Sequence, residues 1–139
     1  MTELVCQFVI EGYCQPKQRT FGRGFVTPPE TRAYERLVGQ LARVAMKGKP
    51  PYNGFCGLDV EIIHEIPKSW SRMKKYAAVQ GKIFPTICDL DNQTKSISDA
   101  MNRIVFEDDR QVNHLVVRRE YGAKDMATVR VFGIPVTEK

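Results

Sequence analysis

The 139-residue chain is long enough for one compact domain and too short for two domains of ordinary size. Its net charge of +5 favours an anionic partner, and nucleic acid is the first candidate. Glu3 stands where a signal peptide needs basic residues, and no segment approaches the roughly 18 apolar residues of a membrane span, so we expect a cytoplasmic protein without a membrane partner.

The first half of the chain predicts a strand, a loop and a long helix. Leu4 to Ile10 is rich in β-forming residues and predicts the strand, and a loop follows from Tyr13 to Phe25. Thr27 to Glu30 has the pattern of a capping box with proline at the first helical position. Apolar residues then recur in steps of three and four, which predicts an amphipathic helix ending near Gly48.

The second half predicts a second strand and two further helices. Cys56 to His64 alternates with a period of two, as expected of a strand with one buried face, and His64 lies on the apolar side. Ser69 is the expected cap of a short helix that Gly81 ends. A third helix is predicted from Asp91 or Asn92 to about Arg103.

Two strands are predicted to close the chain, from Gln111 to Glu120 and from Met126 to Phe132. The residues between them, 121–125, have the composition of a hairpin turn. The expected order is therefore β-α-β-α-α-β-β, an α/β fold of the α+β type with a mixed sheet, in one domain over residues 1–139. The four cysteines are scattered without a C-x-x-C pair, which predicts free thiols and no zinc site.

Acidic and basic residues near the third helix suggest phosphodiester chemistry. If residues 89–91 are extended, Asp89 and Asp91 project to the same side, and Lys95 stands one helical turn above Asp91. Mg²⁺ binds carboxylates together with phosphate oxygens, and it can activate water for hydrolysis. Lys95 would neutralise charge on the scissile phosphate, and the acidic segment Glu107 to Asp109 offers a third carboxylate.

The same residues also have a purely structural interpretation. Aspartate at a helix start is a common cap, and Lys95 with Asp99 has the spacing of an ordinary i,i+4 ion pair. Glu107 to Asp109 could be a solvated acidic loop. This interpretation leaves open a non-catalytic, structure-selective DNA-binding protein.

Two groups of cations are candidate DNA contacts, because positive charge must offset the repulsion between an acidic site and the phosphate backbone. For each group, a solvated protein face is an equally good explanation. The first group lies in the loop and the second near the short helix: Lys17, Arg19 and Arg23, and then Lys68, Arg72, Lys74 and Lys75.

The order of motifs is similar to the signature of RusA-type Holliday junction resolvases. The similarity rests on Asp89-Leu90-Asp91-Asn92 with Lys95, on Asp99-Ala100-Met101, and on Asp108 to Val112; Pro16 to Arg19 and the following helix extend it over most of the chain. The chain departs from the common pattern at Cys88, where a basic residue or a Pro-Asp context is frequent. It departs again at Gln93, which replaces an apolar residue.

The resemblance implies a Mg²⁺-dependent endodeoxyribonuclease of bacteria and phages, with Mn²⁺ as a substitute ion. Such an enzyme resolves Holliday junctions by paired, symmetric nicks during DNA recombination and repair. Carried over by motif position, Asp89, Asp91 and Asp109 are the metal-binding acids, Lys95 is the essential basic residue, and the four together are catalytic.

The resemblance also implies a two-fold homodimer. One chain offers one acidic cluster, whereas a four-way junction needs two matched nicks, and a symmetric dimer places two sites by symmetry. Branched DNA, with a four-way junction as its main form, is the expected partner. A nuclease for flaps or forks remains an alternative to the junction resolvase.

Overall fold

The computed structural model describes residues 3–17 and 29–136. In chain order the elements are β1 (Glu3–Glu11), α1 (Pro29–Met46), β2 (Cys56–Glu65), α2 (Arg72–Val79), α3 (Leu90–Met101), a 3₁₀ helix (Asp109–Gln111), β3 (Val112–Gly122) and β4 (Met126–Gly133). They form one α+β domain with a mixed four-stranded sheet, which confirms the predicted class. The predicted capping residues Thr27 and Pro28 lie outside the described residues.

The strands lie in the order β1-β4-β2-β3, with β2 parallel to β3 and antiparallel to β4. The predicted hairpin between β3 and β4 is therefore wrong, because β2 lies between them. The linking residues 123–125 cross the end of β2 instead of forming a tight turn. Glu65 N donates to Asp125 Oδ1 at 2.8 Å, and Ile66 N donates to Gly122 O at 3.1 Å, which ties the link to that end.

Helix α2 begins two residues later than the sequence suggested. Ser71, and not Ser69, is the N-cap, and its hydroxyl accepts a hydrogen bond from Lys74 N at 3.2 Å. Trp70 N instead donates to Pro67 O at 3.2 Å, so the chain makes a separate turn before the helix. Gly81 follows the helix with a φ of +72°, a left-handed conformation that glycine adopts without strain.

Helix α3 begins at Leu90, one residue before the predicted start, and ends at Met101 rather than near Arg103. The chain leaves the helix because Arg103 adopts a φ of +68° and its N–H donates to Phe106 O at 2.6 Å. This tight reversal brings the following segment back toward the helix, which is what places the 3₁₀ helix beside α3.

The core lies where α1 and α3 cover the sheet. The side chains of β2 alternate as predicted, with Leu58, Val60, Ile62 and His64 all buried. Helix α1 contributes Val38 to this core, and α3 contributes Ile97 and Met101, each with no exposed surface; the full cluster joins all four strands and both helices. Burying one such aliphatic side chain stabilises the fold by roughly 1.5–3 kcal/mol, so these contacts fix α3 against the sheet.

The cysteines agree with the expectation of free thiols. All four cysteines are free thiols, three of them buried, and burial raises the pKa of Cys14 to about 12, so that thiol stays protonated.

None of the three helices described here combines the length and the apolar character that crossing a bilayer requires.

Candidate active site

The N-terminus of α3 carries the first two candidate acids. Asp89 is the N-cap residue, yet its side chain makes no capping hydrogen bond, while Asp91 Oδ1 accepts a hydrogen bond from Asn92 N at 3.0 Å. The extended conformation that would put Asp89 and Asp91 on the same side stops at Asp89, because the partly buried Leu90 starts the helix and Gln93 N already donates to Asp89 O at 3.3 Å. Both aspartates are exposed, and the Asp89 carboxylate is not used as a helix cap.

Lys95 joins α3 to the 3₁₀ helix. Its ammonium lies 3.2 Å from Asp99 Oδ1 and 3.5 Å from Asp109 Oδ2. The hydrogen bond with Asp99 is the largest cause that raises the pKa of Lys95, with the charge of Asp109 adding to it. Lys95 therefore keeps its positive charge, and it stands beside a predicted metal-binding acid.

Lys17 extends this cluster toward α1. Its ammonium lies 2.8 Å from Glu35 Oε2 and 3.3 Å from Asp99 Oδ2, and its backbone N–H donates to Asn92 O at 2.8 Å. Burial lowers the pKa of Lys17, but the two carboxylates outweigh that effect and raise it. Asp99 is thus shared by two lysines. A DNA contact by Lys17 stays a prediction, although its ammonium already has two carboxylate partners.

The acidic segment after α3 is a capped turn and not a loose loop. Asp108 caps the 3₁₀ helix by accepting a hydrogen bond from Arg110 N at 2.9 Å, and that bond lowers the pKa of Asp108. Gln111 completes this capping box, since its Oε1 accepts a hydrogen bond from Asp108 N at 3.1 Å. Its Nε2 donates to Tyr52 O at 2.8 Å. With Asp108 engaged in capping, Asp109 is the acid that faces Lys95.

The three predicted metal ligands do not form one ligand cluster. Within residues 3–17 and 29–136, no three acidic, histidine or cysteine side chains lie close enough together to hold an ion. Their chemistry still suits Mg²⁺, which prefers oxygen donors and commonly takes one or two carboxylates together with waters and substrate phosphates. Asp89 and Asp91 fit that description, and Asp109 is paired with Lys95.

A groove of about 550 Å³ runs between α3 and β3 beside these residues. Its walls combine apolar side chains with Asp91 and Lys95; the full lining is Leu90, Asp91, Thr94, Lys95, Ser98, Leu115 and Val117. The acid and the lysine therefore border an open surface that a substrate can approach.

A buried polar network lies behind the start of α3, and the sequence analysis missed it. Gln93 Nε2 lies 2.9 Å from His64 Nε2, and Gln93 Oε1 accepts a hydrogen bond from Arg119 Nη1 at 2.8 Å. Burial lowers the pKa of His64, so its ring is neutral near pH 7. Two signals were in the sequence: a glutamine where an apolar residue was expected, and a histidine on the apolar side of a strand.

The second group of predicted DNA contacts is on the surface. Lys68, Arg72 and Lys74 are exposed, and Lys74 Nζ lies 4.0 Å from the centre of the Trp70 ring. In the described part of the chain, no acidic residue forms an ion pair with Lys68, Arg72, Lys74 or Lys75. Arg19 and Arg23 of the first group lie outside the described residues.

Comparison with known proteins identifies the family of this chain. The family model described as endodeoxyribonuclease RusA matches residues 8–132. The chain belongs to the RusA family. A curated relative, the "Uncharacterized protein YqaN" of Bacillus subtilis (strain 168), is 31% identical over 109 residues, which cover 75% of each chain. RusA-family membership confirms the resemblance seen in the motifs, and it implies endonuclease activity on branched DNA.

Proposed function

We propose that this RusA-family protein is a divalent-metal-dependent endodeoxyribonuclease that resolves Holliday junctions by paired nicks during DNA recombination and repair. The observation that carries the proposal is the contact between Lys95 and Asp109, beside Asp91 on an open groove. This contact brings the two motif segments that the family resemblance singled out into one site.

The proposed catalytic residues are Asp89, Asp91, Lys95 and Asp109. Asp89 and Asp91 would hold Mg²⁺, or Mn²⁺ in its place, with the scissile phosphate and with Asp109 joining from the 3₁₀ helix. When bound, a divalent ion supplies an activated water and offsets the charge of the leaving oxygen. The Asp89 carboxylate suits this task because it makes no capping hydrogen bond.

Lys95 is the proposed stabiliser of negative charge on the phosphate. Asp99 and Asp109 hold its ammonium from two sides, and the side chain is still half exposed. A charge that is held in place before the reaction needs little reorganisation when negative charge develops, and this is how fixed groups accelerate phosphoryl transfer.

We further propose that two copies act as a two-fold homodimer. Two matched nicks in a four-way junction need two sites, and symmetry supplies them. Strand β3 is at the edge of the sheet and exposes Leu115 and Val116 by 55% and 52%. An apolar sheet edge of this kind favours association with another chain, and sedimentation analysis of the purified protein tests the dimer.

Branched DNA would be held by the cations near α2. Lys68, Arg72 and Lys74 are exposed and have no described acidic partner, and residues 66–88 contain no aspartate or glutamate. Such a surface attracts the phosphate backbone whatever the base sequence. Flaps and forks present the same backbone, so the choice among branched substrates is left to the cleavage experiment.

One observation favours a second candidate, a non-catalytic protein that recognises DNA structure. The ammonium of Lys95 is paired with Asp99 and Asp109, and no three-acid group exists in the described ranges. Ion pairs of this kind are also found in sites with a purely structural role. Divalent-metal dependence of DNA cleavage distinguishes the two candidates.

The test is cleavage of a labelled synthetic four-way junction, in Mg²⁺ and in EDTA, by wild type and by Asp91→Asn. Paired symmetric nicks that require Mg²⁺ and vanish in the variant support the proposal. Asp59→Asn is the matched control, because Asp59 lies on β2 between the core positions Leu58 and Val60 and so faces away from the helices. Tight junction binding without nicking, with three-way, flap and linear substrates also uncut, would favour the non-catalytic candidate.

A further inference from the structure

The side chain of Arg119 reaches from β3 to the loop that precedes α3. Its Nη1 donates to Cys88 O at 2.6 Å, and its Nη2 donates to Pro85 O at 3.0 Å. The carbonyl of Cys88 belongs to the peptide bond that contains the N–H of Asp89. A planar peptide bond moves as one unit, so a donor fixed on this carbonyl also fixes the backbone of Asp89.

Gln93 holds the guanidinium in place from the helix side. Its Oε1 accepts from Arg119 Nη1 at 2.8 Å, and its Nε2 donates to Cys14 O at 2.8 Å and lies 2.9 Å from His64 Nε2. Gln93 and His64 are both fully buried. These contacts require the neutral histidine tautomer that accepts at Nε2, with its proton on Nδ1 at 3.8 Å from Asp125 Oδ1.

This network explains why Gln93 stands where an apolar residue was expected. A buried amide that loses its hydrogen-bond partners destabilises the fold, so Gln93 is tolerated only because its oxygen and its nitrogen are both engaged. Arginine suits the opposite side of the network, since its planar guanidinium presents several donors in fixed directions. The planar guanidinium of Arg119 can therefore donate hydrogen bonds to Gln93 Oε1, Cys88 O and Pro85 O at the same time.

We propose that Arg119 is a positioning residue, which sets the place of Asp89 at the start of α3 through the Cys88 carbonyl and the Gln93 amide. Asp89 is held from one side by Arg119 and from the other by the helical hydrogen bond from Gln93 N to Asp89 O at 3.3 Å. Its carboxylate is then presented from a fixed backbone. The consequence for metal binding rests on the proposed function, whereas the consequence for the Asp89 backbone does not.

The experiment compares Arg119→Ala and Arg119→Lys with Arg118→Ala in the full-length protein. Arg118 is the matched control because it neighbours Arg119 on β3 and instead pairs with Glu61 Oε2 at 2.9 Å on the exposed side. The readouts are the ¹⁵N–¹H amide resonance of Asp89, Mn²⁺ binding without DNA by electron paramagnetic resonance, single-turnover cleavage, and junction binding in EDTA.

Arg119→Ala is expected to shift the Asp89 amide resonance and to weaken Mn²⁺ binding and cleavage by about 10–100-fold, as is typical for residues that orient ligands. Junction binding in EDTA should be unchanged, and Arg118→Ala should match wild type in all four readouts. Added ethylguanidinium should restore part of the cleavage lost in Arg119→Ala, because a free guanidinium can occupy the vacated space. Arg119→Lys keeps the charge but not the planar donors, so it should resemble Arg119→Ala in a milder form.

Unchanged Asp89 resonance and Mn²⁺ binding in a folded Arg119→Ala protein would overturn the proposal, as would equal losses in Arg118→Ala. If Arg119→Ala does not fold, Arg119→Lys decides in the same way. A shifted Asp89 resonance in a protein whose wild type neither binds Mn²⁺ nor cuts DNA would uphold the positioning role and reject the proposed function. The two inferences can therefore fail separately.

Discussion

Lys95 Nζ lies 3.5 Å from Asp109 Oδ2, although the two residues belong to different elements. The chain reverses direction after α3, where Arg103 adopts a left-handed conformation, and this reversal brings Asp109 within reach of Lys95. The capping of the 3₁₀ helix by Asp108 then leaves Asp109 facing the lysine. Two segments of the candidate site that are separated in sequence are thereby brought together.

Replacing Lys95 tests whether its charge acts on the phosphate. Lys95→Ala should slow single-turnover junction cleavage by about 100–1000-fold, the cost usual for removing one fixed group that stabilises negative charge. Junction binding should persist, because the cations near α2 remain. Arg130→Ala, an exposed arginine between the buried Val129 and Val131 of β4, is the control and should cut at the wild-type rate. A Lys95→Ala protein with full activity would remove Lys95 from the mechanism.

Asp99 should matter for both stability and rate, because it is shared by Lys17 and Lys95. Asp99→Asn should lower the free energy of unfolding in urea by about 1–2 kcal/mol, with most of the loss on the less exposed Lys17 side. Cleavage should also slow, since Lys95 loses one of the groups that hold it.

The exposed pair of Arg118 and Glu61 provides the comparison for Asp99. Glu61→Gln should cost less than about 1 kcal/mol, as exposed ion pairs usually do, and should leave cleavage unchanged. Equal losses in the free energy of unfolding in Asp99→Asn and Glu61→Gln would show that pairing with two lysines makes Asp99 no more stabilising than an ordinary exposed ion pair.

Local patterns in the sequence identified much of the structure. The alternation of β2, the helical stripe of α1 and the i,i+4 pair of Lys95 with Asp99 follow from periodicity, which depends only on near neighbours. The sequence could not reveal that β2 separates β3 from β4, because strand pairing is decided by contacts between distant segments. A short link between two strands resembles a hairpin whether or not those strands pair.

The candidate site was predictable to a similar extent. The motif singled out Asp89, Asp91, Lys95 and Asp109 by their positions, but it could not show that the neighbouring Asp108 caps the 3₁₀ turn. The Arg119 network was not predicted either. Its members come from β2, α3 and β3, so only the folded chain brings them together.

His64 should make stability depend on pH. Burial lowers its pKa in the folded state below the ordinary value, while Asp125 partly opposes this and Arg119 reinforces it. At pH values above about 6.5, the ordinary pKa of histidine in an unfolded chain, His64 is neutral in both the folded and the unfolded state. It then contributes no pH dependence to the free energy of unfolding. As the pH falls below that value, the unfolded state binds a proton that the folded state resists, so the free energy of unfolding should decrease.

The measurement is urea unfolding between about pH 7.5 and pH 5.5, a window above the ordinary range of carboxylate titration. His64→Gln should flatten the decrease, and His114→Gln, at an exposed position of β3, should retain the wild-type slope. Stability that rises on acidification in wild type but not in His64→Gln would mean that Asp125 outweighs burial.

The cations near α2 should determine the salt dependence of DNA binding. Arg72→Ala and Lys68→Ala should each reduce the slope of log K against log salt by about one, the value for one lost phosphate contact, and should weaken all DNA sequences alike. Lys124→Ala is the control, because Lys124 is exposed but pairs with Glu11 Oε1 at 3.0 Å. Slopes that fall equally in all three variants would indicate a general charge effect and not a contact surface at α2.

The packing of α3 should set the stability of the whole domain, because the helix carries residues of the candidate site and also completes the core. Ile97 has no exposed surface, so Ile97→Ala should lower the free energy of unfolding by about 2–5 kcal/mol through lost burial and the cavity left behind. Val44 on α1 is 76% exposed, and Val44→Ala should change stability by no more than about 0.5 kcal/mol. Urea unfolding of the two variants compares them directly. A loss below about 1 kcal/mol in Ile97→Ala would mean that α3 is not anchored through this side chain.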